Sequence, residues 1–336
     1  MPEAALHIAF WNTWLLRPRL WPGGPAVPGG DRFFAPQVRE RAPLVGAAVR
    51  DRFDVCAFSE VFDPEQQRSV LAALASTDHA LGPGPGRMRF AGSGLITVAD
   101  SARVRIVRSE THVFRSGGDL RDSDTFATKG ALLCRLRPAG GAPEIDLVST
   151  HLFAGGDLFP VPGATDRERH HRVRMAQVDE LVSFVDRFRQ PANPLLVVGD
   201  FNVAAEDPDP ALAEPSERYE DLRLRLASLG LVDLWAEHGE GPGPTCTFGT
   251  VEDIPPDPDE PDRVEDSPPT EASAGERIDY LWFAPPTEGD VRAEAGRPRR
   301  WAFPGRGVRG GPAGSLSDHL ALSVALTVTS PDRGAR

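Results

Sequence analysis

The sequence predicts an α+β fold in one domain spanning residues 1–336, on three observations. Short apolar runs of strand length outnumber helical patterns, the helical patterns are interspersed among them, and no linker divides the chain. A length of 336 residues is compatible with one large domain or two average ones, so the missing linker decides.

The elements follow in order. LHIAFWN (6–12) is a short apolar run ending in a polar residue, hence a strand, and the Pro- and Gly-rich stretch from Arg17 to Gly30 is a loop. Val38, Ala42, Val45 and Val49 recur at helical spacing, with Pro43 marking the helix start. FDVCAFSE (53–60) is a second strand. Pro64 to Ala75 is helical, with Asp63 as its cap and Pro64 at its first position. GLITVA (94–99), RVRIV (103–107), GALLCRL (130–136) and IDLVSTH (145–151) are further strands. Arg167 to Phe188 is the clearest helix, because Val178, Leu181, Val182, Val185 and Phe188 share one face. His170 and His171 read as part of its solvated face. LLVVGD (195–200), a helix near 214–229, IDYLWF (278–283) and LALSVALTV (320–328) complete the set.

The net charge of -12 is concentrated. Segment 252–277 holds ten acids and two bases, so it carries eight of those charges, and the remainder is close to balanced. The segment is rich in proline and poor in large apolar residues, which predicts a disordered loop. Cys56 and Cys134 lie in apolar runs and read as buried thiols. The start of the chain lacks the pattern of a secretory signal and no run of eighteen apolar residues occurs. The expectation is a cytoplasmic protein, with secretion left open. Lys129 is the sole lysine among 37 basic residues, and so compact a charge is a candidate for binding substrate.

The strand ends share a chemistry. Asn12 ends the first strand, Glu60 the second, His151 ends VSTH, and Asp200 and Asn202 end LLVVGDFN. Asp279 opens IDYLWF, and Asp318–His319 precede the last strand. Six such cases together predict that the strand ends converge on one rim. Glu60, Asp200 and Asp318 offer hard oxygens, and Asn12 and Asn202 neutral ones, a set suited to Mg²⁺. The cysteines and histidines lack the pattern of a zinc cage. A metal beside a carboxylate-oriented water suits phosphoester hydrolysis. Asp279 near His319 would hold the imidazole in one tautomer. Alternation along an extended strand would aim Asp200 and Asn202 the same way, and Gly199 would let the backbone approach closely.

These pieces resemble the endonuclease/exonuclease/phosphatase superfamily. The resemblance rests on AFWN (9–12), SEVFD (59–63), STHL (149–152), VVGDFN (197–202), RIDYLWF (277–283) and LSDHLAL (316–322), which span nearly the whole chain in family order. It implies a four-layer α/β/β/α sandwich with two central mixed sheets, deoxyribonuclease-like, and a divalent-metal phosphodiesterase. It implies Mg²⁺, with Mn²⁺ as an alternative, bound at Glu60 with help from Asn12 and Asp318. By the same resemblance Asp200 orients the attacking water, Asn202 holds the phosphate, His151 contacts the phosphate or leaving oxygen, and His319 with Asp279 is the catalytic histidine.

EVFD after the first acid, KG ahead of a strand, and THL followed by a helix carrying VRMAQVDEL look most like sphingomyelinases. The expected substrate is therefore a phosphodiester in a phospholipid headgroup. Loops carrying Trp14, Leu15, Leu16, Trp21, Phe153, Leu158 and Phe159 suit peripheral membrane contact, with packing against the sandwich as the alternative. A nuclease with the same chemistry stays open, because Arg297, Arg299, Arg300, Arg306 and Arg309 form a basic stretch. A non-catalytic binding module is the third reading, set back by the presence of every chemical residue. No obligate protein partner is implied.

Overall fold

The computed structural model describes the chain except residues 1–2, 18, 20–23, 31–33, 75–76, 87–88, 90, 119–121, 123, 125–126, 156–166, 207–213, 247–262, 265–274, 306, 309, 312–314 and 331–336. Trp21, Leu158, Phe159, Arg306, Arg309 and most of the acidic segment lie outside the described residues.

Fourteen strands among the described residues form two sheets. The first contains β1 (Glu3–Asn12), β2 (Val55–Ser59), β3 (Thr77–Leu81), β4 (Ile96–Asp100), β10 (Arg263–Val264), β12 (Arg292–Ala295), β13 (Arg299–Trp301) and β14 (Ala321–Thr329). Its order is β10-β13-β14-β1-β2-β4-β3, with β12 also on β14. The second contains β5 (Val104–Val113), β6 (Gly130–Pro138), β7 (Ile145–His151), β8 (Leu195–Asp200), β9 (Val232–Asp233) and β11 (Asp279–Ala284), in the order β5-β6-β7-β8-β11-β9. Each sheet is mixed: β1–β2 and β7–β8 are parallel, and their other neighbours run antiparallel.

Strand alternation sorts the core into layers. Leu6, Ile8 and Phe10 of β1 meet Leu196 and Val198 of β8 between the sheets. Ala9 and Trp11 point outward, onto α1 (Val38–Val49) and α2 (Pro64–Ala73), through Val38, Ala42, Val45 and Val70. Val197 and Trp282 point outward on the other sheet, onto α3 (Arg167–Phe188) and α4 (Glu217–Leu226), through Val178, Leu181, Leu222 and Leu226. The layers are helix, sheet, sheet, helix, the sandwich anticipated above.

Local chemistry sets the helix ends. Asp63 accepts a hydrogen bond from Glu65 N at 2.8 Å with Pro64 at the first position, and Ser216 Oγ accepts from Tyr219 N at 3.1 Å. One boundary differs: α1 starts at Val38, and Pro43 lies inside it. There the missing N–H removes one intrahelical bond, and the buried face holds the helix regardless. The two- to four-residue β9, β10, β12 and β13 are too short to carry an apolar run, and β3, TDHAL, buries only one residue and so lacks one as well. β5 runs on to Val113 because RSETHV alternates polar residues at a sheet edge.

Two further differences matter. His170 and His171 are buried rather than solvated. His170 Nε2 lies 3.2 Å from Asp122 Oδ1, beside the Arg169–Asp122 ion pair, and His171 Nε2 lies 3.2 Å from Asp221 Oδ2, so this side of the first turns of α3 faces inward while Arg167 and Glu168 stay exposed. Arg277, placed at the end of the acidic segment, is buried, with Nη1 2.5 Å from Asp233 Oδ2 and its guanidinium over Tyr219 and Tyr280. No helix among the described residues is long and apolar enough to cross a membrane.

Candidate active site

The same alternation that builds the inter-sheet core builds a cleft at one end of it. Asn12 follows Phe10 on the inner face of β1, Asp200 follows Val198 on β8, His151 shares the parity of Leu147 on β7, and Asp279 that of Leu281 on β11. Cα pairing sets His151 and Asp279 on either side of Asp200. Gly199 pairs with Thr150, and a Cβ there would run into the Thr150 carbonyl, so only glycine allows this spacing.

Glu60 reaches the cleft differently. It lies one residue past β2 with a φ of 62°, a left-handed turn that breaks the alternation. Asp318 and His319 lie just ahead of β14. Ser317 anchors them, donating from Oγ to Asn12 O at 2.7 Å and accepting from His319 N at 3.2 Å.

The side chains then meet. Asn12 Nδ2 donates to Asp200 Oδ2 at 2.9 Å and to Glu60 Oε1 at 3.4 Å, and lies 3.5 Å from His319 Nε2. His319 Nδ1 donates to Asp279 Oδ2 at 2.8 Å, which leaves Nε2 for the cleft, 3.9 Å from Asp200 Oδ2. His151 Nε2 stands 3.6 Å from Asp200 Oδ2 and 3.8 Å from Glu60 Oε1. Glu60, Asn12, His151, Asp200, Asp279 and His319 thus occupy one cleft, with Asp318 near enough to act on Glu60 electrostatically.

Burial and neighbours set the charges. Burial pushes Glu60 up to about 7, with the Asp318 charge adding to it. Burial likewise raises Asp200 to about 6, with Asp279 contributing, and raises Asp318. Burial alone would lower His319, but Asp279 and Cys246 hold it well above the usual imidazole range. His151 is held well below that range, by burial and then by Lys129 and His319.

A cation fits this cleft. Glu60 Oε2 is buried and has no hydrogen-bond partner among the described residues, and the acids crowd one another upward. Asp200, Asp279 and His319 also bring ligand-type atoms within 4.8 Å of one another. In that trio Asp279 Oδ2 accepts from His319 Nδ1, while Asp279 Oδ1, like Glu60 Oε2, is buried without a partner among the described residues, so both carboxylates offer an open oxygen to a hard ion.

Three expected residues sit otherwise than anticipated. Asn12 turns its amino group, not its oxygen, toward Glu60 and Asp200, while Oδ1 accepts from Trp14 N at 3.1 Å. Asn202 has a φ of 52°, so the extended alternation ends at Asp200. Its N–H donates to Asp200 Oδ1 at 2.9 Å and its amide to Leu152 O at 3.2 Å, beside the acid rather than parallel to it. Lys129 is buried, with Nζ 3.0 Å from His151 Nε2 and 3.1 Å from Asp124 Oδ1, so it reaches the cleft through His151. Among residues given no role from the sequence, Asp124 lies in no motif, and Ser317 lies within LSDHLAL, where nothing local reveals its bonds to Asn12 and His319. Arg41 had one signal, a charge on the apolar stripe of α1.

The sequence profile of the endonuclease/exonuclease/phosphatase family matches residues 9–319. The chain belongs to that family. Members are hydrolases acting on phosphoester bonds, and the chain is such an enzyme by family. Its fold is similar to that of Staphylococcus aureus beta toxin crystallised with bound magnesium ions, at 16% identity and a TM-score of 0.60, covering 96% of this chain and 99% of that one. It is similar to sphingomyelinase C of Streptomyces griseocarneus, at 18% identity and a TM-score of 0.59, covering 96% and 99%. A humanised TDP2 of D. rerio matches at 13% identity and a TM-score of 0.57, covering 96% and 98%. No curated protein matches the chain by sequence.

Proposed function

We propose that this family member is a Mg²⁺-dependent phosphodiesterase that hydrolyses a phospholipid headgroup of the sphingomyelin type. The observation that carries the reading is the pairing of the Asp279–His319 dyad with Asp200 across a cleft whose wall holds the unpartnered Glu60 oxygen. Glu60 and Asp318 would hold the metal, with the Asn12 amide steadying Glu60. Bound Mg²⁺ would neutralise phosphate charge. Asp200, fixed by Asn12 and by the Asn202 N–H, would orient water and take its proton. His319, protonated through Asp279, would donate from Nε2 to a phosphate oxygen. His151 would offer a neutral imidazole to the phosphate or leaving oxygen, held by Lys129. Asn202 would line the phosphate side.

The lipid reading is supported by the fate of the basic stretch. Arg300 is buried, donating to Pro244 O at 2.9 Å and lying over Trp235, and Arg297 pairs with Glu240 at 3.1 Å. Arg299 of the same stretch is exposed, and the charge outside the acidic segment is close to balanced, so the described residues of the stretch present Arg299 and the Glu240-paired Arg297 rather than a basic track. The sphingomyelinase C likeness leans the same way, and the magnesium in the beta toxin structure supports the choice of metal. Membrane contact would fall to Trp14 and Leu16, which are half-buried, because Leu15 and Phe153 are packed inside.

The test is a paired assay of the purified chain on sphingomyelin vesicles and on plasmid DNA, with Mg²⁺ and with EDTA. Phosphocholine release that EDTA abolishes is the expected result. Plasmid nicking without phosphocholine release would replace the lipid reading with the nuclease one.

A further inference from the structure

Arg41 is the most completely enclosed cation in α1: its exposure is 0%, and Asp318 and Glu60 act on it electrostatically without a direct ion pair among the described residues. An unpaired buried charge is costly unless its donors are satisfied. Here four of the five N–H groups meet backbone carbonyls. Nε donates to Pro36 O at 2.8 Å, Nη1 to Leu316 O at 2.6 Å and to Thr13 O at 3.2 Å, and Nη2 to Trp14 O at 2.5 Å. The guanidinium also lies 5.3 Å from the centroid of the Trp14 ring.

Those carbonyls belong to two segments that carry the cleft. Thr13 and Trp14 follow Asn12, and Trp14 N is the group that fixes the Asn12 side chain. Thr13 also bonds Ser59 O, through N at 3.1 Å and Oγ1 at 2.9 Å, next to Glu60. Leu316 precedes Ser317, which links Asn12 O to His319 N. Trp14 holds a φ of 48°, a conformation unfavourable for a bulky residue unless its surroundings impose it.

We propose that Arg41 is a positioning residue: its planar fork clamps the Thr13–Trp14 and Leu316 segments together, and so sets the spacing of Asn12 and Glu60 against Asp318 and His319. The proposal rests on the phosphodiesterase reading for its effect on rate, but not for the clamp itself. A lysine keeps the charge and cannot reproduce the fork, so Arg41→Lys separates clamp from charge.

The experiment has two readouts on Arg41→Lys, after circular dichroism shows the fold retained, and Arg41→Gln serves if the lysine variant does not fold. Amide hydrogen exchange, which needs no turnover, should accelerate at least tenfold at residues 13–16 and 316–320 while β7 and β8 keep wild-type protection. In the phosphodiesterase assay, kcat should fall on the order of 100-fold with KM nearly unchanged, the loss expected when reacting groups shift by about 1 Å. Unchanged exchange in the two segments overturns the clamp, and so does faster exchange spread evenly through both sheets. If exchange changes as expected while the wild-type protein hydrolyses no phosphodiester, the clamp stands and the functional reading falls.

Discussion

The two sheets build the cleft with the same three-strand device. In the first, β14 lies antiparallel to β1 and β1 parallel to β2; in the second, β11 lies antiparallel to β8 and β8 parallel to β7. Asn12 on β1 corresponds to Asp200 on β8, and both end their strands on the inner face. The difference lies in how the flanking groups are delivered. In the second sheet His151 and Asp279 are strand residues, in Cα register with Asp200. In the first, Glu60 is itself a left-handed residue held through the Val61 N–H and Asn12, and Asp318–His319 precede their strand, where bonds from Ser317 and Arg41 place them. One half of the cleft is set by sheet register and the other by tertiary hydrogen bonds.

The largest effects should come from the two groups that face each other across that divide. Asp200→Asn on the register side and His319→Ala on the other should each lower kcat by about 10²–10⁴-fold, the usual worth of an acid or base step. Asp200→Asn should unfold in urea near the wild-type midpoint, whereas His319→Ala leaves the buried Asp279 without its partner and should unfold earlier, so its turnover is measured where circular dichroism shows the fold retained. Near-wild-type turnover in either one would remove that residue from the chemistry.

A metal-side substitution should have a different signature. Glu60→Gln retains the shape and the Asn12 contact but removes the charge, so the Mg²⁺ concentration for half-maximal activity should rise by about tenfold or more, as seen for changes around metal sites. Isothermal titration with Mg²⁺ checks this without substrate. Equal affinity in the variant and the wild type would move the ion away from Glu60.

The comparison also explains what could be read from the sequence. Asn12, His151, Asp200 and Asp279 were legible because period-two alternation carries an inner-face position to the strand end. Glu60 and Asp318–His319 were visible as residue types, but their approach depends on a positive φ and on Ser317, which no local pattern encodes. Asn202 shows the limit of alternation: the strand stops at Asp200 and the next residues turn. His170 and His171 look solvated in the sequence because the polar run RERHHRVR hides partners distant in the chain, Asp122 and Asp221. Arg41 escapes local pattern for the same reason, since its carbonyl partners lie up to 275 positions away.

Smaller effects should distinguish the two halves by stability. Gly199→Ala forces a methyl group against the Thr150 carbonyl inside the parallel β7–β8 pair. Overpacking of this kind costs about 1–3 kcal/mol. The displaced backbone carries Asp200 and is adjacent to His151, so activity should fall together with the urea midpoint. A variant that loses stability and keeps full kcat would show that the register does not govern the cleft.

Asp63→Ala probes the other half at its periphery. Asp63 caps α2 and accepts from Arg19 Nε at 2.5 Å, just beyond the Glu60 turn. Losing an N-cap costs about 1 kcal/mol, and the partly exposed Arg19 can find water in exchange, so the ion pair adds little. Glu60 itself is held through the Val61 N–H, which bonds Gly94 O at 3.0 Å, and through Asn12, neither of which involves Asp63. The urea midpoint should therefore drop slightly while kcat and Mg²⁺ affinity stay within a few-fold of wild type. A loss of Mg²⁺ affinity comparable to that of Glu60→Gln would mean that the turn depends on the helix cap, and that the tertiary bonds from Asn12 and Gly94 do not suffice to place the carboxylate.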